Sequence, residues 1–229
     1  MKTDPYRPGS QLRLSFPASR RCVGASFVVS PSNAEAAAMV GAWPAWPLGA
    51  LALIGPEGSG KSHLAALWAR RAGAVAITAQ DADALPRPAD AAVLIEDADQ
   101  GGYDEVLFHL LNRAGGGTSL LLTARLEPAV WPVAIPDLAS RLKALTVARI
   151  GPPDDVALEA MLRAFFRARH IRPAAEVYPY LLSRIERSGR AARAFVSRLD
   201  ELADAEGREV SRALARQVIE SDESGDLFD

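Results

Sequence analysis

The sequence predicts an α/β protein in which a parallel sheet comes first and a small all-helical domain follows. Short apolar runs separated by amphipathic stretches fill residues 21 to 150, and no strand-like run appears after Gly151-Pro-Pro153. Strands that helices cover on both faces are apolar almost throughout, which is the pattern of these runs. Beyond the proline pair the apolar spacing becomes helical, which predicts a change of architecture at that point.

Five runs are candidate strands because each is short and is bounded by glycine, proline, aspartate or charged residues; they cover residues 51–54, 75–77, 92–95, 120–122 and 145–147. Two stretches between them, 61–72 and 103–114, have helical character. Strands that alternate with helices in this way are typical of an α/β fold with a parallel sheet.

The second half of the chain carries apolar stripes at helical spacing. Leu158, Met161, Leu162 and Phe165 recur at i, i+3, i+4 and i+7, and similar patterns occupy residues 177–185, 195–202 and 210–219. The proline pair Pro152-Pro153, followed by the acidic residues Asp154-Asp155, marks a hinge and the start of a helix. We therefore expect an extended arm, a nucleotide-binding base, a helical lid and an acidic tail, at residues 1–20, 21–152, 153–220 and 221–229.

Composition excludes several classes of protein. The 229 residues include 26 basic and 28 acidic side chains, and this balance argues against a protein that bulk charge alone holds on nucleic acid. A single cysteine and three histidines exclude an intrachain disulfide framework and a Cys/His zinc site. Residues 1–10 lack the apolar core of a signal peptide, and the charge-free stretch 36–56 is broken by glycines and prolines. We expect a cytoplasmic protein with no membrane partner.

A glycine-rich segment after the first candidate strand fits the phosphate-loop pattern G-x-x-x-x-G-K-[ST]. Its glycines allow successive N–H groups to point inward at phosphate oxygens, and the following helix adds its positive end. We expect Lys61 to reach the β and γ phosphates of ATP and the Ser62 hydroxyl to ligate Mg²⁺. The residues expected to hold the nucleotide here are Gly55, Pro56, Glu57, Gly58, Ser59, Gly60, Lys61 and Ser62.

Polar side chains end the two strand candidates that should lie beside this loop. Glu96 and Asp97 follow the run 92–95, and Thr123 follows the run 120–122. The carboxylates are expected to coordinate Mg²⁺, directly or through water, and to polarise the attacking water, although their division of roles stays open. The Thr123 hydroxyl would position that water or sense the γ-phosphate.

These motifs together resemble the AAA+ ATPases and, more narrowly, the replication initiator DnaA and its shorter relatives of the Hda type. The narrower resemblance rests on four segments, which are 27–33 (FVVSPSN), 60–64 (GKSHL), 137–141 (DLASR) and 188–195 (SGRAARAF). It implies that the first segment helps to enclose the base and that His63 belongs to the nucleotide site. It also implies that Arg193 is the lid arginine that reports phosphate state, and that Arg141 is an arginine finger acting on a neighbouring molecule.

The N-terminal arm has a second resemblance within that family. Residues Gln11 to Phe16 (QLRLSF) resemble the peptide with which Hda binds the DNA polymerase sliding clamp. Leu12, Leu14 and Phe16 would enter an apolar cleft of the clamp while Gln11 fixes the orientation by hydrogen bonds. The sequence stops near the end of the lid, where DnaA continues into a DNA-binding domain, so an initiator that recognises origin DNA is not expected.

The resulting hypothesis is a negative regulator of replication initiation. Tethered to the DNA-loaded clamp, and touching DNA only weakly or indirectly, it would hold ADP or ATP and offer Arg141 to ATP-bound DnaA; a homodimer is also possible. Glu96, which stands where the family has an aspartate, favours weak intrinsic hydrolysis. The alternatives are a self-hydrolysing AAA+ ATPase, such as a helicase loader, and a factor that binds DNA through the lid arginines Arg184, Arg187 and Arg190.

Overall fold

The computed structural model describes residues 27–77, 91–114 and 116–225, with side chains as far as residue 221. Five parallel strands form one sheet in the order β2-β3-β4-β1-β5, and this confirms the predicted fold class. The strands are β1 (Ala50–Ile54), β2 (Val75–Ile77), β3 (Val93–Ile95), β4 (Leu120–Ala124) and β5 (Thr146–Arg149). Strand β5 starts later than the sequence suggests because the Leu145 N–H still bonds Leu142, 3.2 Å away, at the end of the preceding helix.

Eight α-helices lie in the described ranges. Four belong to the sheet-containing part: α1 (Ala34–Gly41), α2 (Lys61–Ala72), α3 (Asp104–Ala114) and α4 (Pro136–Lys143). Four follow β5 and form the lid: α5 (Asp155–Ala168), α6 (Val177–Leu182), α7 (Gly189–Glu206) and α8 (Arg212–Gly225). Helix α8 thus continues into the stretch 221–229 that the sequence suggests is a loose tail, because nothing in Ser221-Asp-Glu-Ser224 breaks a helix.

The two faces of the sheet bury different residues of the same strands. In β1, Ala50, Ala52 and Ile54 lie in the core that includes α3 and α4, whereas Leu51 and Leu53 lie in the core that includes α1 and α2. All five residues are buried, so the period-two alternation of a strand serves two apolar layers at once. This double burial explains why β1 contains no polar side chain.

Three tryptophans close the core on the α2 side. Trp46 stacks on Trp68 with ring centroids 5.2 Å apart, and Trp43 meets Trp68 edge-on at 6.4 Å. Trp43 and Trp46 lie between helix α1 and the short 3-10 turn that leads into β1, whereas Trp68 lies in α2. Among the residues that the structure describes, no helix has the length and apolar character needed to cross a membrane.

The lid has an apolar core of its own. Leu158, Leu162 and Phe166 of α5 are almost completely buried against residues of the other three lid helices. Met161 and Phe165 belong to the same predicted stripe but remain partly exposed. The stripe therefore divides into a face that holds the lid together and a face that is left for other contacts.

Asp154 joins the start of the lid to the segment that precedes α1. Its carboxylate caps α5 by accepting the Ala157 N–H at 2.9 Å and also accepts the Ser32 N–H at 3.1 Å. The Ser32 carbonyl in turn accepts the Gly151 N–H at 3.0 Å. Partial burial raises the pKa of Asp154, but the backbone N–H groups and the Ser30 and Ser32 hydroxyls outweigh it, so the pKa lies below its ordinary value.

We predict that Asp154→Ala lowers the free energy of unfolding by about 1–2 kcal/mol at pH 7, because a helix cap and the bond to Ser32 are lost together. A depressed pKa means that the native state favours the ionised carboxylate. The difference between wild type and variant should therefore persist above the ordinary pKa of about 3.9 and decrease as pH falls through the lower native pKa. Urea unfolding followed by circular dichroism from pH 7 to pH 3 measures this.

Glu209→Ala is the control for that measurement. Glu209 is an exposed acid before α8 that makes no hydrogen bond or ion pair with the part of the chain that the structure describes. Its removal should leave the unfolding free energy within about 0.5 kcal/mol of wild type. A loss for Asp154→Ala that is independent of pH would show that the carboxylate charge is not what stabilises the joint.

Candidate functional site

The phosphate loop connects the end of β1 to the start of α2. Gly58 and Gly60 have φ angles of 74° and 103°, in the left-handed region that favours glycine. Gly60 directly precedes the first residue of α2, so the N–H groups at the start of that helix face the curl of the loop. The local geometry is that of an anion-binding turn at a helix N-terminus.

Lys61 lies inside this curl. Its ammonium donates to the carbonyls of Gly55 at 2.7 Å and Pro56 at 2.9 Å, and the residue is 8% exposed. Burial lowers the pKa of Lys61; the nearby Asp97 opposes this shift and Arg125 adds to it. The cation is thus held at the centre of the loop that is expected to bind phosphate.

The remaining polar groups of the loop fit a phosphate ligand. The Ser59 hydroxyl is buried and has no hydrogen-bond partner among the described residues, so it is available to an oxygen bound in the loop. Ser62 is exposed in the first turn of α2. No group of three or more His, Cys, Asp or Glu side chains in the described ranges could hold a metal alone, so Mg²⁺ here would take most of its ligands from phosphate and water.

The predicted acids and the predicted threonine lie at the carboxyl-terminal ends of β3 and β4, at the same end of the sheet as the phosphate loop. The Thr123 hydroxyl, which is almost fully buried, accepts the Asp97 N–H at 3.1 Å. Both Glu96 and Asp97 are exposed. Of these two carboxylates, Asp97 is the one whose charge raises the pKa of Lys61 and so opposes the effect of burial. Phosphate, Mg²⁺ and a water could therefore meet these side chains at one edge.

Asp99 is a site residue that sequence reasoning missed. Its Oδ2 accepts the N–H groups of Arg125 at 2.9 Å and Leu126 at 3.1 Å, which fixes the turn that follows β4. Its negative charge also raises the pKa of Lys61, in opposition to the effect of burial. The only signal in the sequence is a third acid just after Glu96-Asp97, and that signal does not reveal a partner on another strand.

The segment before α1 reaches the loop from the other side. The Phe27 ring meets the His63 ring edge-on with centroids 5.6 Å apart. A side chain added at Gly60 would lie 3.6 Å from Phe27 and 3.5 Å from Met161 of the lid. These contacts place two apolar side chains and His63 beside the loop exit, where the sequence suggests that a base is enclosed.

The lid contacts the loop through the start of α7. Ser188 caps this helix by accepting the Arg190 N–H at 3.2 Å, and the Gly189 N–H donates to the Gly58 carbonyl at 2.8 Å. Arg193, one turn further along, places its guanidinium 5.0 Å from the centre of the Phe165 ring. The helix that carries the predicted lid arginine is thus in contact with the loop.

Arg141 is separate from this edge. It lies in the last turn of α4, just before β5, whose first residue, Thr146, pairs with Leu51 near the start of β1. The phosphate loop follows the opposite end of β1. The guanidinium is 41% exposed, bonds Asp137 at 3.0 Å within its own helix and lies 5.8 Å from the Phe108 ring. Arg141 is therefore at the surface, and away from the phosphate loop of its own chain.

Other predicted residues have different outcomes. Gln11, Leu12, Leu14 and Phe16 lie outside the described residues. In the lid, Arg187 pairs with Asp155 at 2.8 Å and Arg184 lies over the Tyr180 ring at 4.2 Å. These contacts neutralise or cover two of the three arginines of the proposed DNA-binding face.

A cavity of about 640 Å³ lies elsewhere in the lid, between the end of α5 and the start of α6, and is lined by Arg163, Arg167, Arg172, His170, Phe166 and Tyr178 among others. None of its lining residues belongs to the phosphate loop or to the strand ends. The candidate site is thus defined by its backbone and charges and does not coincide with this cavity.

No protein-family model matches the sequence, and no curated protein matches it. Solved structures match its fold. Domain III of the replication initiation protein DnaA from Thermotoga maritima is 20% identical with a TM-score of 0.69, over 85% of this chain and 94% of that one. AMPPCP-bound DnaA from Aquifex aeolicus is 17% identical with a TM-score of 0.61, over 79% of this chain and 65% of that one.

A third similar structure is the Holliday junction branch migration motor RuvB of Thermotoga maritima, which is 13% identical with a TM-score of 0.57, over 75% of this chain and 61% of that one. At these low sequence identities, the structural matches show the fold alone. The chain therefore has the fold of an AAA+ base domain with a phosphate loop, in the arrangement that DnaA domain III shares.

Proposed function

We propose that the chain binds ADP or ATP with Mg²⁺ at the loop from Gly55 to Ser62. The support is the left-handed turn at Gly58 and Gly60, the enclosed Lys61 ammonium, and the acids and Thr123 at the ends of β3 and β4. Arg193 would approach the phosphates from the lid, and Phe27 and His63 would lie beside the base. AMPPCP is bound in the DnaA structure with the same fold.

Lys61→Ala tests nucleotide binding. It should weaken ADP and ATP binding at least 100-fold in titrations with a fluorescent nucleotide analogue, because the loop loses its only internal cation. Lys143→Ala removes the same charge from an exposed position at the end of α4 and should bind like wild type. Equal affinities for wild type and Lys61→Ala would contradict a nucleotide site at this loop.

We further propose that the chain regulates replication initiation by supplying Arg141 to ATP held by DnaA. The observation that carries this proposal is the position of Arg141. It is exposed and lies near the amino-terminal ends of β1 and β5, whereas the phosphate loop follows the carboxyl-terminal end of β1. An arginine so placed could act on a nucleotide held by a neighbouring molecule rather than on one in its own loop. Its bond to Asp137 is an exposed pair within one helix, which a phosphate could displace at little cost.

Residues 11–16 of the N-terminal arm would bring the chain to its site of action by binding the sliding clamp. A peptide that binds the sliding clamp raises the local concentration of the chain at newly replicated DNA without a DNA-binding surface of its own. The near-neutral composition and the internally paired lid arginines agree with contact to DNA that is weak or indirect.

Arg141→Ala tests the partner site. Wild type, together with clamp loaded on DNA, should accelerate hydrolysis of the ATP bound to DnaA. With the variant, the hydrolysis rate should return to that of DnaA alone, because arginine fingers accelerate hydrolysis by about 10³–10⁵. Lys143→Ala, two positions along the same helix, should stimulate like wild type. Full stimulation by Arg141→Ala would refute the finger.

Substitution of the arm tests the tether separately. Gln11→Ala combined with Leu12→Ala should remove binding to the clamp and the clamp-dependent part of the stimulation. It should leave nucleotide affinity unchanged, because the loop keeps all of its ligands. Retained clamp binding by this double variant would exclude the arm as the tether.

The second candidate is a self-hydrolysing ATPase such as a helicase loader. It is favoured by Asp97, Thr123 and Lys61, which lie at the same end of the sheet and could act on a nucleotide bound by the same chain. Steady ATP turnover by the isolated chain, lost in Lys61→Ala and indifferent to clamp, would select it. Turnover that appears only when DnaA is added would select the regulator.

A further inference from the structure

The phosphate loop carries an acid that binds the lid. Glu57 lies between Pro56 and Gly58, and its Oε1 accepts from the Arg190 guanidinium at the start of α7, 3.0 Å away. The next residue of the loop, Gly58, accepts the Gly189 N–H at 2.8 Å. A side chain at Gly58 would collide with the Ser188 hydroxyl, so the start of α7 rests directly on the loop.

The same carboxylate faces a second arginine. Its Oε2 lies 3.5 Å from Nη2 of Arg125, in the turn after β4 that Asp99 holds. Two guanidinium groups from two separate elements therefore converge on one acid within a loop whose expected ligand is an anion. A carboxylate is the side-chain group that most resembles phosphate to an arginine, because both accept paired N–H bonds.

These ion pairs are exposed. The side chains of Glu57, Arg125 and Arg190 are 44%, 51% and 74% exposed. Pairs of this kind contribute little to stability and exchange partners readily. A diphosphate or triphosphate in the loop offers more charge and more acceptor oxygens than one carboxylate, at the position toward which both arginines already extend.

We propose that Glu57 pairs with Arg125 and Arg190 at the mouth of the phosphate loop when no nucleotide is bound, and that it competes with the phosphates of a bound nucleotide for these two arginines. This inference rests on the proposed nucleotide binding and is independent of the proposed action on DnaA. It assigns phosphate contacts to two arginines beyond Arg193, and it makes Glu57 a competitor of the nucleotide for them.

Competition for the arginines differs measurably from simple repulsion between Glu57 and phosphate. Removing the carboxylate tightens binding in both cases. Competition requires the arginines, so the gain must shrink when they are absent. Repulsion does not require them, and it grows when the cations that screen it are removed. A cycle of variants separates the two effects.

The experiment measures the dissociation constant of a fluorescent ADP analogue at low salt for wild type, Glu57→Gln, Arg125→Gln/Arg190→Gln and the triple variant. We expect Glu57→Gln to tighten binding about five- to tenfold and the arginine pair variant to weaken it by a similar factor. When Arg125→Gln and Arg190→Gln are already present, adding Glu57→Gln should change the dissociation constant by less than about twofold. The gain in the native background should decrease at 0.5 M salt, because exposed charges are screened.

Glu127→Gln is the matched control. Glu127 also pairs with an arginine, Arg149, at 2.8 Å and 3.0 Å, and it lies outside the loop. The dissociation constant of the ADP analogue for Glu127→Gln should equal that for wild type. Amide hydrogen exchange gives a second readout: without nucleotide, Glu57→Gln should speed exchange in the first turn of α7, and ADP should restore protection.

Each outcome has one reading. If wild type binds no ADP, the proposed nucleotide site fails. If wild type binds ADP and Glu57→Gln binds it equally well or more weakly, competition by Glu57 for the arginines is overturned while the nucleotide site stands. A gain that is as large without the two arginines as with them also overturns it, because Glu57 then acts by repulsion alone.

Discussion

The pairing of β1 with a parallel strand on each side is the constraint on which the rest of the site depends. Its hydrogen bonds continue past the strand itself: the Gly55 N–H donates to Ala124 of β4 at 3.2 Å, and the Ile54 carbonyl accepts the Ile150 N–H at 2.8 Å. The first residue of the phosphate loop is thus fixed between the ends of two neighbouring strands. Lys61, the turn after β4 and the hinge at Gly151 all take their positions from this edge, so the loop needs no ligand to set its frame.

The sheet and the loop could be predicted because their signals are local. Apolar runs such as 92–95 and the pattern from Gly55 to Ser62 are properties of neighbouring residues, and the parallel arrangement follows from their alternation with helices. Asp99 and the arginine partners of Glu57 could not be predicted in the same way. Glu57 meets Arg190 across 133 positions of sequence, so the pair exists only once the lid has docked on the base. No periodicity in the sequence encodes that contact.

Arginine placement shows the same division between local and distant information. Arg163 and Arg216 each bond an acid one turn away, at 2.6 Å, and such pairs can be read from the sequence as i,i+4 partners. Arg141 forms the same kind of pair with Asp137, so its local contact does not distinguish it from the other two. What sets it apart is the topology, which puts α4 and its last turn at the start of β5. The fold, rather than the spacing, separates this guanidinium from its own phosphate loop.

The separation of the cores bears on how a nucleotide could influence the lid. The lid packs its apolar residues in a cluster distinct from both layers of the sheet, so it can move as a unit without exposing the core of the base. Its described attachments to the base include the hinge, braced by Asp154 on Ser32, and the start of α7 on Gly58. Both attachments are made of hydrogen bonds, which contribute about 0.5–1.5 kcal/mol each, and of exposed ion pairs, which contribute about 0–1 kcal/mol each. The phosphates of a nucleotide would lie between Gly58 and the lid arginines. The contacts that join lid and base there are weak enough for the binding energy of the nucleotide to rearrange them.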